Sequence, residues 1–342
     1  MSSNKFELVE LTDPIGYGTM SLTMRRDSVS MDALNSLRYA HTKTGHFNAC
    51  EFYGEDDINL KMMQKFIEGN DAATNSKIVI SIKGMFNLET YSPDWSKESV
   101  DKIISKIKRY FPPREGRPKI ILGPARVDRS HPVEDTISYI SEYVKSGVID
   151  GIFLSECGPQ TIAKAASVFP ITCVEVELSP VYPMIIDNGV MKECAAHNIA
   201  VVAYSPLAMG LLTTSTIEKP EEYIKSKAPL AGFLDRHSAE NVKHNIKLAQ
   251  QLDEMAKKRN VSLESYALSW ITSLSENKTW YDYEFPQIIP IPSGSTKEKI
   301  DINFGPRISL PDDELKEIKK IIDSFVVKGL RFNSHSKDME FA

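Results

Sequence analysis

Short apolar runs rich in Ile and Val alternate along this chain with stretches of helical spacing, and few folds accommodate that rhythm. Runs suited to buried strands are Ile78–Ile82, Ile120–Leu122, Ile149–Leu154, Ile171–Val176, Ile199–Tyr204 and Ile288–Ile291, with weaker ones at Ile15–Met20 and Phe47–Cys50. Between them the spacing turns helical. Val133, Ile137, Ile140 and Val144 share one face, with Pro132 in the first turn and Gly147 at the end. Val242, Ile246, Ala249, Leu252 and Ala256 repeat the pattern before the last strand. Strand–helix alternation of this kind predicts parallel β/α units, and eight of them predict a closed (β/α)8 TIM barrel. No linker interrupts the series, so residues 1–342 are expected to form one domain. Two additions are expected. A long loop follows strand 7, where Ala208–Glu240 carries Pro220, Pro229 and Gly232, and an extra C-terminal helix carries Leu315, Ile318, Ile322 and Phe325 behind an acidic first turn.

Composition narrows the function classes. The hydrophobic share of 42% suits a large core, and a net charge of −5 gives no attraction to nucleic acid or anionic lipid. No apolar run approaches the roughly 18 residues of a membrane helix. The opening Met1-Ser2-Ser3-Asn4-Lys5 has no apolar signal core, and the cysteines (Cys50, Cys157, Cys173, Cys194) form no C-x-x-C pair. The expectation is a cytoplasmic protein with reduced thiols, with the nucleus open to it as well. It is expected to hold no metal and to be a monomer or weak oligomer.

In such a barrel the chemistry lies at the C-terminal ends of the strands. Two residues there stand out, Tyr53 and Lys83. A phenol with its ordinary pKa near 10 is a sluggish acid, and a nearby ammonium lowers that value by favouring the phenolate. Strand-end lysines are usually solvated and loop tyrosines usually packed, so the pair alone decides little.

The surrounding motifs decide more. They are Gly16-Tyr17-Gly18-Thr19-Met20, Asn48-Ala49-Cys50-Glu51-Phe52-Tyr53-Gly54, Ser81-Ile82-Lys83-Gly84, Ala125-Arg126-Val127-Asp128, Gly147-Val148-Ile149 with Leu154-Ser155-Glu156, Tyr204-Ser205-Pro206-Leu207, and Ile289-Pro290-Ile291-Pro292 followed by Asn303. In this order the sequence resembles the aldo-keto reductase family over nearly its full length, and within it the fungal pyridoxal reductases. The resemblance implies an NADPH-dependent oxidoreductase acting on a small-molecule aldehyde, with Tyr53 as general acid and Lys83 tuning it. It further implies that Tyr204 stacks under the nicotinamide and that Ser155, Glu156 and Glu175 hold its carboxamide. Ser293, Ser295, Lys299 and Asn303 would hold the adenosine end, and Thr19, Met20, Ser205, Pro206 and Leu207 would line the cofactor's path. A lysine and a serine hydroxyl on a 2′-phosphate favour NADPH over NADH.

Two catalytic positions depart from the family, and Glu175 and Glu156 replace amides common in it. Its catalytic aspartate is Asn48 here, and its histidine is Ala125, which with Arg126 would line the substrate pocket. Asn48 can still accept a hydrogen bond from Lys83, but the anion is expected to be lost and the field of Lys83 on Tyr53 left less compensated. His131 lies six residues beyond Ala125 and is expected to be a solvated helix-start residue. The resulting expectation is reduction of pyridoxal to pyridoxine. The rivals are a broad aldehyde reductase and an NADPH-binding regulatory subunit that turns over poorly.

Overall fold

The computed structural model describes residues 8–24, 26, 28–232, 234–276, 281–331 and 340–341. Eight strands run parallel in chain order: β1 Tyr17–Gly18, β2 His46–Cys50, β3 Val79–Gly84, β4 Lys119–Pro124, β5 Gly151–Ser155, β6 Ile171–Glu177, β7 Ala200–Tyr204 and β8 Ile288–Pro290. Backbone hydrogen bonds from Gly16 to Pro290 (3.0 Å) and from Gly18 to Pro292 (3.2 Å) close β1 onto β8. All eight expected strands are present, and the ring is a (β/α)8 barrel.

Strand alternation sorts the residues. Ile121, Phe153, Cys173, Val202 and Ile289 point into the barrel and form one apolar cluster with Val9, Leu11 and Ile291. Their neighbours Ile120, Leu122, Ile152, Val174 and Val201 point outward and pack with the helices. Gly123 is required where it stands, because a Cβ there would lie 2.5 Å from the Phe153 carbonyl oxygen and 2.9 Å from its ring. Leu11 and Val9 lie toward the N-terminal end, where the Leu11 carbonyl accepts from Gln287 Nε2 at 3.0 Å.

The helices begin where their caps place them. Ser30, Ser96 and Ser238 each accept from the amide three residues on, opening Met31–His41, Lys97–Tyr110 and Ala239–Lys258. The helix Val133–Lys145 buries Val133, Ile137, Ile140 and Val144 as its spacing predicts. After β7 the chain makes its long excursion, folded into short helices at Thr214–Glu218 and Pro220–Lys227 and tied back where Glu264 accepts from the Thr214 amide at 3.0 Å. The last helix, Asp312–Ser324, buries Leu315 and Ile318 and ends just before Phe325. Beyond it residues 326–331 run back across the barrel. The Leu330 amide donates to Asp235, the Leu330 carbonyl accepts from the Arg236 amide at 3.1 Å, and Asn245 accepts from the Lys328 amide at 2.8 Å. Among the described residues no helix is long and apolar enough to cross a membrane, and no group of His, Cys, Asp and Glu could hold a metal ion.

Candidate active site

The same alternation that fills the barrel centre aims polar side chains into its mouth. Cys173 and Glu175 share the inward face of β6, two residues apart, as do Ser81 and Lys83 on β3. Parallel register brings Asn48 of β2, Lys83 of β3 and Glu175 of β6 together. Lys83 Nζ donates to Asn48 Oδ1 at 2.7 Å and to Glu175 Oε1 at 2.6 Å, while Asn48 Nδ2 donates to Glu175 Oε2 at 2.6 Å. All three are buried. The expected loss of an anion beside Lys83 is therefore corrected: Glu175 supplies one from the far side of the barrel. Both its oxygens accept hydrogen bonds, so it can take a bond from a carboxamide NH2 but cannot donate one.

Tyr53 lies in the loop after β2. Gly54 turns the chain at φ +99°, and a Cβ there would meet Ile58 at 2.4 Å and the Thr23 carbonyl at 2.8 Å. Glu51 accepts from the Met85 amide at 3.1 Å, and Lys106 bridges Glu51 (2.9 Å) and Asp57 (2.7 Å), pinning both ends of the loop. Lys83 Nζ then sits 5.3 Å from the centre of the Tyr53 ring. Burial pushes the Tyr53 phenol up to about 12, while the Lys83 ammonium pulls the other way. The expected lowering by Lys83 is real in sign, but desolvation outweighs it. Burial also opposes the charge on Lys83, yet Glu175 and then Tyr53 hold it above its ordinary value. Cys50 is buried and burial raises its thiol, which leaves it inert at neutral pH.

A second polar group occupies the ends of β5, β6 and β7. Glu156, fully buried with φ +53°, accepts from Tyr204 Oη at 2.6 Å and from both terminal nitrogens of Arg331 at 2.6 and 2.8 Å. Arg331 also donates to Tyr204 Oη and Glu177, and its guanidinium lies 5.6 Å from the Tyr204 ring centre. Arg236 reaches Glu177 at 3.3 Å. Burial opposes the Glu156 charge, but Arg331, Arg126 and the Tyr204 hydroxyl together carry its carboxyl down to about 2. Arg331, Glu177 and Arg236 were absent from the expectations. The inward alternation Cys173–Glu175–Glu177 could have exposed Glu177, whereas nothing local marks a single arginine in the tail.

Other expected positions fall as follows. Ser155, next to Glu156, has a buried hydroxyl with no hydrogen-bond partner among the described residues. Thr19 donates to the Asn48 carbonyl at 2.7 Å, and Asn59 bridges Thr19 and Thr23. Met20 is exposed. Ser205 has φ +48°, so with Met85 and Glu156 it makes three strand ends that turn through the left-handed region, a strain typical of functional rims. Pro206 is buried and Leu207 half-buried. Ala125 is buried at the end of β4, with Arg126 donating to its carbonyl at 2.6 Å. His131, partly buried just ahead of the helix Val133–Lys145, pairs with Asp128 at 2.7 Å. Ser293, Ser295, Lys299 and Asn303 form a separate group after β8. There Asn303 Nδ2 donates to the Ser293 carbonyl at 3.0 Å, Ser36 donates to the Ser295 carbonyl at 3.2 Å, and Lys299 is exposed.

The sequence profile of the Aldo/keto reductase family matches residues 14–323. The chain belongs to that family. "Probable pyridoxal reductase 2" of Schizosaccharomyces pombe is 30% identical over 94% of each chain. A Saccharomyces cerevisiae protein that carries the pyridoxal reductase name provisionally is 33% identical, over 93% of this chain and 95% of its own. "Aldo-keto reductase yakc [NADP(+)]" of S. pombe is 32% identical over 59% of this chain and 56% of its own. Among solved structures, a glycerol dehydrogenase from Gluconobacter oxydans superposes with a TM-score of 0.71 at 16% identity, covering 96% of this chain and 98% of its own, which speaks for the fold alone.

Proposed function

We propose that this aldo/keto reductase is an NADPH-dependent carbonyl reductase that converts an aromatic aldehyde, pyridoxal, to its alcohol, pyridoxine. The observation that carries the reading is the Lys83–Tyr53 pair at the barrel mouth, with Tyr53 held as a neutral phenol beside a buried ammonium. The pyridoxal reductase names of the relatives support the substrate.

The residues present fit a nicotinamide cofactor. The buried Ser155 hydroxyl, without a partner among the described residues, is an orphan that a carboxamide would satisfy, whereas Glu156 is already engaged by Tyr204, Arg331 and the Glu177 amide and Glu175 by Lys83 and Asn48. Tyr204 would pack against the ring, Thr19, Met20, Ser205, Pro206 and Leu207 would line the path, and Ser293, Ser295, Lys299 and Asn303 would hold the adenosine 2′-phosphate end. When bound, the cofactor supplies a hydride to the carbonyl carbon. Tyr53 donates its phenolic proton to the carbonyl oxygen as that oxygen takes the electron pair of the C=O bond. The transfer is downhill, since the alkoxide of an alcohol is a much stronger base than a phenolate. Lys83 stabilises the phenolate left on Tyr53, and solvent restores the proton once the alcohol leaves. Ala125 leaves room beside Tyr53 for a substituted ring, and Arg126 lines the same wall.

A panel of aldehydes with NADPH tests the reading. Pyridoxal is expected to show the highest kcat/KM. Equal rates on simple aromatic aldehydes would make the protein a broad reductase. The absence of a histidine at Ala125 favours one other reading, a cofactor-binding regulatory subunit. Single-turnover experiments that show NADPH bound but never oxidised would establish it instead.

A further inference from the structure

Lys83 is a buried ammonium, and a buried charge persists only where a counter-charge meets it. The titratable groups that face it are Tyr53 and Cys50 from β2 and its loop, His46 lower in the barrel, and Cys173 and Glu175 from β6; Arg126 of the β4 end faces Tyr53. Most carry no charge at neutral pH. Burial raises both thiols and the phenol, and burial takes His46 down to about 4, leaving a neutral imidazole. Asn48 is an amide. Its orientation is fixed by its neighbours: the oxygen accepts from Lys83, so the NH2 must donate to Glu175. Glu175 then accepts on both oxygens and stands as a carboxylate.

Resting on the carbonyl-reductase reading, we propose that Glu175 is the positioning residue of the reaction: from β6, across the barrel, it supplies the negative charge that keeps Lys83 protonated and aimed at Tyr53, with Asn48 as the neutral bridge between them. Its effect on the proton transfer passes through Lys83, to which it is hydrogen-bonded. The charge could equally sit at position 48, because Lys83 donates to both side chains at nearly the same distance, 2.6 and 2.7 Å.

That symmetry gives the test. In Glu175→Gln the anion is gone, so both Lys83 and Tyr53 release protons more easily. The rate with NADPH and an aldehyde is expected to fall about ten- to hundred-fold at neutral pH, and the basic limb of kcat/KM to move to lower pH. Asn48→Asp alone sets two carboxylates against each other and is expected to lose activity and melting temperature. The double variant Asn48→Asp with Glu175→Gln restores one anion, with the new amide on β6 donating to the new carboxylate on β2. Its rate is expected to return to within a few-fold of wild type, with the basic limb and melting temperature recovering together. A single Glu175→Gln variant with wild-type rate and limb overturns the proposal, as does a double variant no better than the product of the singles. Should Glu175→Gln fail to fold, folding of the double variant supports the charge exchange and its failure overturns it. A wild type with no turnover on any aldehyde overturns the reductase reading instead, and the melting temperatures then still report whether the two positions exchange charge.

Discussion

Two buried glutamates stand at the ends of adjacent strands in this barrel, and their cations come from different places. Glu175 of β6 is paired with Lys83 of β3, so strand register holds both partners. Glu156, just past β5, is paired with Arg331, which arrives from the segment beyond the last helix, 175 residues along the chain. The first pair is as rigid as the sheet. The second exists only while residues 326–331 stay docked on Asp235, Arg236 and Asn245. A charge that must hold one proton donor in place belongs in the sheet. A charge that closes the rim over Tyr204 can be brought by a tail.

The sharpest way to break this comparison is to remove the proposed acid. Tyr53→Phe is expected to lower carbonyl reduction by about 10²–10⁴-fold while leaving NADPH affinity within a few-fold and the melting temperature nearly unchanged. Near-wild-type turnover would show that the chemistry does not lie on the Glu175 side at all.

Arg331→Met attacks the other pair. Glu156 has its carboxyl held at about 2 against an ordinary 4.5. A depressed carboxyl contributes stability that is full above the unfolded value and is lost as pH falls through the folded one. The variant is therefore expected to be about 3–5 kcal/mol less stable than wild type at neutral pH, as when a buried ion pair loses one partner, with the gap narrowing as pH falls from neutral towards about 2 because an unpaired, buried Glu156 takes up a proton more readily. Urea unfolding across that range measures it. The basic limb of kcat/KM is expected to stay where it is, since the groups that act most on Tyr53 are Lys83, Cys50 and Glu175, and neither Arg331 nor Glu156 is among them. A moved limb would merge the two pairs into one network.

How far each pair was legible follows from the same contrast. The eight strands, their order and the residues at their ends could be read from apolar runs and helical spacing, because both depend on near neighbours. Lys83 and Tyr53 were found that way, and Asn48 through the family resemblance. The partnership of Glu175 with Lys83 needed the register across the barrel, which alternation alone does not supply, and its replacement of an amide drew attention to the cofactor instead. Arg331 was invisible. Its meaning comes entirely from where the tail lands, and a lone arginine after a helix carries no period or motif. Desolvation was also underweighted: the sign of Lys83's pull on Tyr53 was clear from the residue types, but the larger opposing effect of burial depends on packing.

Charge outside both pairs should act more weakly. Lys299 is exposed on the short helix Lys297–Asn303, which follows β8. Lys299→Glu is expected to weaken NADPH binding by about 1.5–3 kcal/mol, through loss of a charge-assisted contact to the 2′-phosphate, while NADH binding changes little. Equal effects on both cofactors, measured by fluorescence titration, would remove Lys299 from the site.

Ala125 lies between the two pairs, at the end of β4, whose neighbours are β3 with Lys83 and β5 with Ser155. It is buried, its amide donates to the Gly84 carbonyl at 2.9 Å, and its carbonyl accepts from Arg126. A histidine here must take space from the pocket or from Arg126. If the small side chain opens the pocket to a ring bearing hydroxyl and hydroxymethyl groups, Ala125→His lowers kcat/KM for pyridoxal by more than for a slimmer aldehyde. The slimmer substrate is expected to lose little or even gain, because an imidazole donor near the carbonyl adds transition-state stabilisation. Packing alone predicts something else. Overfilling a buried strand end costs about 1–3 kcal/mol of stability, and both substrates would then lose rate together, in step with the melting temperature. Steady-state kinetics on the two aldehydes beside a thermal melt separate these outcomes. A parallel rise on both would refute the role of space at Ala125 and place the deficit in the missing donor instead.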